Sequence, residues 1–253
     1  MHVQFKTIFP PVRMILSFRL IRYTNIISDM KTLFVLLIFT MINMTACSEE
    51  TVLPAGNSGN GEPQGSGWLI PENEVLDGGP GKDGIPALSE PAFVPASEAT
   101  WINEDEMVLG FADGQDVRAY PHQILDWHEI INDRTANHSL AVIYCPLTGT
   151  GTGWERRVNG HETTFGVSGL LYNSNIIPYD RATDSNWSQL LLKSVQGTLS
   201  CTQATTYNLI ETTWKTWKKL YPSSQVVSNN TGYNRSYGVY PYGNYRVSDA
   251  LLF

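Results

Sequence analysis

The chain has 253 residues, 42% of them hydrophobic and 16% charged, with a formal net charge of −7, a globular composition with enough apolar material for one sizeable core. Residues 1–47 carry five basic side chains and one acid, which leaves 12 basic and 23 acidic groups in the remainder. Such a surface repels a phosphate backbone, and no basic patch offsets it, so nucleic acid is excluded as an expected partner.

The first element in chain order is an address. "MKTLFVLLIFTMINMTAC", residues 30–47, carries Lys31 next to its start, continues through a ten-residue apolar stretch from Leu33 to Ile42 broken only by Thr40, and closes on small residues before Cys47. A ten-residue stretch is too short to cross a hydrocarbon core of about 30 Å. The stretch reads as a secretory signal over 30–46. Its "MTAC" ending resembles the bacterial lipoprotein signal, in which the cysteine is lipidated, so Cys47 is the expected acyl (palmitate) attachment point and a membrane the expected partner. Residues 1–29 precede a complete signal and read as a start assigned too early. Ser48, in place of an Asp that favours inner-membrane retention, and the Glu49-Glu50 pair point to the outer membrane of the cell envelope, on its periplasmic face or at the cell surface.

Residues 47–75 are rich in Gly, Ser, Asn and Pro without an apolar period. They read as a flexible tether with a reach of roughly 25–30 Å. The folded part is expected over 76–253 as a single α+β domain, mostly antiparallel sheet with a few short helices. Hairpins are predicted in "MVLGFADGQDVRAY", turning at Asp113-Gly114, and in "WERRVNGHETTFGV", turning at Asn159-Gly160. Pro121 can open a short helix, "PHQILDW". "SLAVIYC" is a continuous apolar run and a predicted buried strand. "TTWKTWKKLYP" reads as a helix capped by Thr212 or Thr213 and stopped at Pro222, with Trp214, Trp217 and Leu220 on its apolar face. The final "SDALLF" stops inside an apolar run, so the chain is expected to be truncated there.

The candidate chemistry centres on Cys145, at the end of "SLAVIYC". Four roles are open to it: nucleophile, metal ligand, half of a disulfide with Cys201, or a small apolar residue at a strand end. If "WHEII" and "AVIYC" pair as neighbours, the His128 imidazole approaches the thiol as a base, and Asp133 or Asn132 orients the ring. A metal set of Cys145, His128 and His122 matches no standard zinc spacing, so no metal is assigned with certainty. The segment from 165 to 189 is rich in polar groups within an apolar frame. There Ser168, Tyr172, Asn173, Asn175, Asp180, Arg181, Ser185 and Gln189 are candidates for a polar pocket. Neither a nucleophile elbow, a Walker loop nor a dinucleotide fingerprint occurs, and no cofactor is indicated.

Six stretches in order, "GGPGKDGIPAL", "AYPHQILDWHEIIND", "YCPLTGT", "FGVSGLLYNSN", "YDRATDSNWSQ" and "TTWKTWKKLYP", resemble the bacterial and archaeal domain-of-unknown-function family 3179. The resemblance runs from about Gly78 to the end and implies no established activity. It implies that Asp83, His128, Glu129, Asn132, Asp133, Cys145, Ser168, Tyr172, Asn173, Asp180, Arg181 and Trp187 match motif positions, a density that suggests a pocket. The chain departs from the family's Cys-Pro-Leu-Cys by carrying Thr148, which excludes a dithiol, and it has Asn186 where the family tends to have Leu. Three classes of function follow: a thiol-dependent enzyme with Cys145 as nucleophile and His128 as base, a metal or small-ligand binding lipoprotein, and an interaction module in which Cys145 only packs. The two chemical readings expect Cys145 within about 5 Å of His128, with "SGLLYNSN" and "YDR" bordering one cavity.

Overall fold

The apolar run "SLAVIYC" has no polar alternation because the strand it forms is covered on both faces. In the computed structural model, which describes residues 67–248, all seven residues of Ser139–Cys145 are buried. Leu140, Val142 and Tyr144 enter one core, and Ala141, Ile143 and Cys145 enter another. The leader, the signal, Cys47 and the tether up to residue 66 lie outside the described residues.

The strands in chain order are β1 (Val75–Asp77), β2 (Leu88–Ser89), β3 (Phe93–Pro95), β4 (Met107–Asp113), β5 (Asp116–Pro121), β6 (Ile130–Arg134), β7 (Ser139–Cys145), β8 (Thr150–Glu155), β9 (Arg157–Val158), β10 (His161–Glu162), β11 (Phe165–Tyr172) and β12 (Asn175–Asp180). They continue with β13 (Asn186–Ser188), β14 (Lys193–Gln196), β15 (Thr206–Tyr207), β16 (Ile210–Thr213) and β17 (Gln225–Val227). Two helices join them, α1 (His122–His128) and α2 (Trp214–Leu220). A middle sheet, ordered β15-β8-β7-β6-β2, is flanked by an outer sheet, β1-β11-β12-β13-β14, and a far sheet, β16-β4-β5-β17-β3. Pairing is antiparallel except for β17 with β5 and β2 with β6. The class is α+β, dominated by antiparallel strands.

One core lies between the middle and far sheets and takes Ile124 and Leu125 from α1. The other lies between the middle and outer sheets, where Trp154, Phe165 and Trp187 pack edge to face. A third core sits under α2, where Trp214 and Trp217 cover Val108, Ala119 and Val226. Trp217 lies so close to the far sheet that a Cβ on Gly110 would stand 1.9 Å from its ring, so only glycine fits there.

Several local expectations need adjusting. The Asn159-Gly160 turn forms, with φ of 49° and 81° between β9 and β10, as a type I′ turn demands. The first hairpin pairs Asp113 with Asp116, so its central residues are Gly114 and Gln115, one step later than the Asp-Gly reading. Helix α2 is capped by Thr213, whose Oγ1 accepts from the Thr216 amide at 3.3 Å. Leu220 is 55% exposed, because only the first two positions of that face meet the sheet. Packing begins before residue 76: Trp68 and Ile70 join Ile177 and Val195 in a small core, and the Leu69 amide bonds to Val195 O. Cys145 and Cys201 are not joined in a disulfide.

Candidate active site: Cys145 and the cavity beside it

Strands β6 and β7 pair in register, Ile130 with Ile143 and Ile131 with Val142, and the Tyr144 amide bonds to Glu129 O. One further step would set residue 128 opposite Cys145. The chain does not take it. Glu129 adopts φ 58°, a left-handed conformation rare for a residue with a Cβ, and closes α1 with its amide on Leu125 O. His128 therefore belongs to the helix. Its Nδ1 lies 2.7 Å from Pro86 O and its Nε2 2.7 Å from the Tyr237 hydroxyl. Both ring nitrogens are thus engaged by groups other than the thiol, and burial lowers the imidazole pKa. Asp133 does not orient this ring. It receives Arg118 and the Tyr120 hydroxyl on the other side of the middle sheet, the latter at 2.7 Å.

Cys145 itself is fully buried. Its thiol faces the Ser174 carbonyl at 3.6 Å. Burial pushes its pKa up, opposed by hydrogen bonds from the Thr148 side chain and backbone. A thiol in that setting stays protonated near neutrality and is a poor nucleophile. Thr148, which stands where the resemblance places a second cysteine, thus touches the sulfur, and its Oγ1 also accepts from Asn175 Nδ2 at 3.0 Å.

Ile176, whose backbone bonds to the thiol, lines a cavity of about 210 Å³ that Cys145 itself does not line. Its walls come from the β11–β12 hairpin through Val167, Leu170, Leu171 and Ile176. The loop holding Pro80 and Ile85 closes one side. That loop docks on a bulge in β11, where Asp83 N bonds to Val167 O and Gly78 N to Gly169 O. Gly169 has φ 82°, and a Cβ there would stand 2.8 Å from the Gly81 backbone, so the bulge requires glycine. Two polar side chains interrupt the apolar lining, Glu129 and Tyr242, and the Tyr242 hydroxyl donates to Glu129 Oε1. Burial pushes the Glu129 pKa up to about 7, against the Tyr242 hydrogen bond, which pulls it down. The carboxyl is therefore poised between its two protonation states near neutrality.

The other expected pocket residues are placed elsewhere. Asn132 is fully buried and clamps the middle sheet to the outer one, giving Nδ2 to Leu88 O and Phe165 O and accepting the Phe165 amide. Ser168 bonds to Ile177 O and the Leu170 amide within the bulge. Tyr172 and Asn173 form the β11–β12 turn, where Asn173 and Ser174 have φ of 51° and 58°. Asp180 is fully buried, accepting from the Thr183 amide at 2.8 Å and from Trp187 Nε1 at 3.1 Å. Arg181 reaches Asp83 at 2.6 Å and Phe165 O at 3.0 Å, and Asp83 also receives the Tyr179 hydroxyl. Of the two segments expected at one cavity, "SGLLYNSN" contributes Gly169, Leu170 and Leu171, while Arg181 of "YDR" borders a separate open groove with Arg156 and Thr163.

Among the described residues, no group of three or more His, Cys, Asp and Glu gathers as a metal site. Tyr242 carried no signal in the sequence, because its partner lies 113 positions away. In comparisons with known proteins, the model of the family "Protein of unknown function (DUF3179)" matches residues 82–253. No curated protein and no solved structure matches.

Proposed function

We propose, for a chain that belongs to the family of unknown function DUF3179, the role of an exported small-ligand-binding protein held on a membrane by acylation of Cys47. The cavity between the β11–β12 hairpin and the Glu129–Tyr242 pair takes a small, largely apolar molecule with one hydrogen-bonding end. One observation carries this reading: an otherwise apolar cavity whose polar groups are a buried carboxyl and the hydroxyl bonded to it. Apolar walls supply affinity in proportion to the area covered, and a few placed polar groups fix orientation. The backbone strain at Glu129 fits a residue kept for a role other than packing, since left-handed conformations of such residues concentrate at functional sites. Cys145 packs beneath the cavity wall and takes no part in chemistry.

Thermal unfolding with 1-octanol as probe tests the cavity. Octanol is expected to raise the unfolding temperature of the wild type and to lose that effect in Leu170→Trp, which fills the half-buried wall. An equal shift in both proteins sinks the cavity assignment. Metabolic labelling with a palmitate analogue tests the anchor: label on the wild type and none on Cys47→Ser is the expected result, and unlabelled wild type ends the lipoprotein reading.

A further inference from the structure

Proline 121 closes β5 and sits at the N-terminal boundary of α1, so the first helical side chain, His122, is thrown against the wall of a second, polar cleft of about 480 Å³. His122 is only 9% exposed, and its ring lies 4.4 Å from the Tyr144 ring. Its Nε2 is buried without a hydrogen bond. Glu211 Oε1 lies 3.2 Å away, yet outside hydrogen-bonding alignment. A buried polar nitrogen left in this way calls for an explanation.

The charges around it are lopsided. Asp126, one turn further on α1 and so on the same face, lines the cleft with Asp105 and Glu106, and Glu211 stands beside the imidazole. Against these four carboxylates stands one guanidinium. Arg246 donates to Asp126 Oδ1 at 2.7 Å, reaches the Tyr144 hydroxyl at 3.4 Å, and stacks on Tyr240 at 3.9 Å. Glu106 already accepts from Gln123 Nε2 and from Asn103. Burial, and next Arg246, lower the His122 pKa to about 4, so the ring is neutral near pH 7 and adds no positive charge.

We propose that this cleft binds a small organic ammonium ion, with the ammonium between His122 Nε2, Glu211 and Asp126. An ammonium carries three N–H donors and no acceptor. With the ring proton on Nδ1, the neutral imidazole offers it the Nε2 lone pair, beside a carboxylate oxygen 3.2 Å away that is not bonded to that nitrogen. The ammonium also answers the excess of negative charge, which disfavours any anion. The proposal stands apart from the apolar cavity, because it uses none of the groups that line it.

Isothermal titration at low ionic strength tests it, with 1,4-diaminobutane as the probe and 1,4-butanediol as the neutral control of equal length. The diamine is expected to bind, the diol not, and 0.5 M NaCl to weaken the diamine several-fold. Glu211→Gln alters a half-exposed side chain at the sheet edge and is expected to keep the unfolding temperature while losing at least about tenfold in affinity. His122→Phe, which keeps the ring against Tyr144 and removes Nε2, is expected to lose affinity too. No heat with the diamine, equal binding of the diol, or an unchanged affinity in both variants overturns the assignment.

Discussion

Two acids at the C-terminal end of α1, Asp126 within the helix and Glu129 capping it, are both buried, and their settings differ in one partner. Asp126 faces the polar cleft and is paired with Arg246, while Glu129 faces the apolar cavity and is bonded to a neutral tyrosine. Burial raises both, Asp126 to about 6 despite the guanidinium and Glu129 to about 7. A cation offsets part of the desolvation of a carboxylate, and a hydroxyl offsets less. Asp126 is therefore mostly charged near neutrality, whereas the cavity holds a carboxyl that is close to half protonated.

The largest expected effect follows from the signs of these shifts. Glu129 binds its proton more tightly when folded, so its contribution to stability is full below pH 4.5 and is lost as pH rises through about 7. Moving a carboxyl from 4.5 to about 7 corresponds to about 3 kcal/mol. His122 has the opposite sign. Its folded pKa falls from 6.5 to about 4, so stability is lost as pH falls through that window, again by about 3 kcal/mol. The two windows overlap with opposite signs, so urea unfolding from pH 4 to pH 8 is read as a difference from wild type: Glu129→Gln is expected to gain stability relative to wild type as pH rises from 4.5 to about 7, and His122→Phe to gain relative to wild type as pH falls from 6.5 to about 4. If both variants gain relative to wild type in the same direction of pH, the two ends of α1 are not separate regions.

A smaller effect is expected from Tyr242→Phe. Removing the hydroxyl leaves Glu129 Oε1 without its donor, at about 1–2 kcal/mol. Because that hydrogen bond holds the Glu129 pKa down, its loss moves the alkaline fall in stability to higher pH. A fall that stays in place would mean that Tyr242 does not act on the carboxyl.

The layers of the fold were legible where a single strand or turn carried its own signal. "SLAVIYC" announced a strand covered on both faces, and Asn159-Gly160 announced its turn. The site was legible only in part. The pairing of "WHEII" with "AVIYC" entered only as a condition, and the approach of His128 to Cys145 drawn from it depended on one residue, Glu129, continuing in extended conformation. Its left-handed backbone hands His128 to α1, and nothing in "WHEII" marks that break. The polar run from Ser168 to Trp187 looked like a pocket because composition does not distinguish a side chain aimed at solvent from one that satisfies backbone groups in a bulge or a tight turn. Tyr242 and Arg246 were invisible, since they reach α1 from the far end of the chain.

The smallest effect concerns the thiol on the cavity side. Thr148 is exposed yet bonds to the Cys145 sulfur, so a route leads from the surface to a thiol that is itself sealed. Thr148→Cys is expected to form a disulfide with Cys145 on mild oxidation with oxidised glutathione, two thiols giving one S–S bond while the glutathione disulfide is reduced. The bond closes a very short loop, so its contribution to stability is on the order of 1 kcal/mol. In a Cys47→Ser background, thiol titration under denaturing conditions reads the result. Cys145 and the introduced thiol disappear together and Cys201 remains, whereas retention of all three shows that position 148 points away from the sulfur. The same oxidation leaves the cleft untouched, so any diamine binding persists in the oxidised protein while the packing under the cavity wall changes, which keeps the two ends of α1 experimentally distinct.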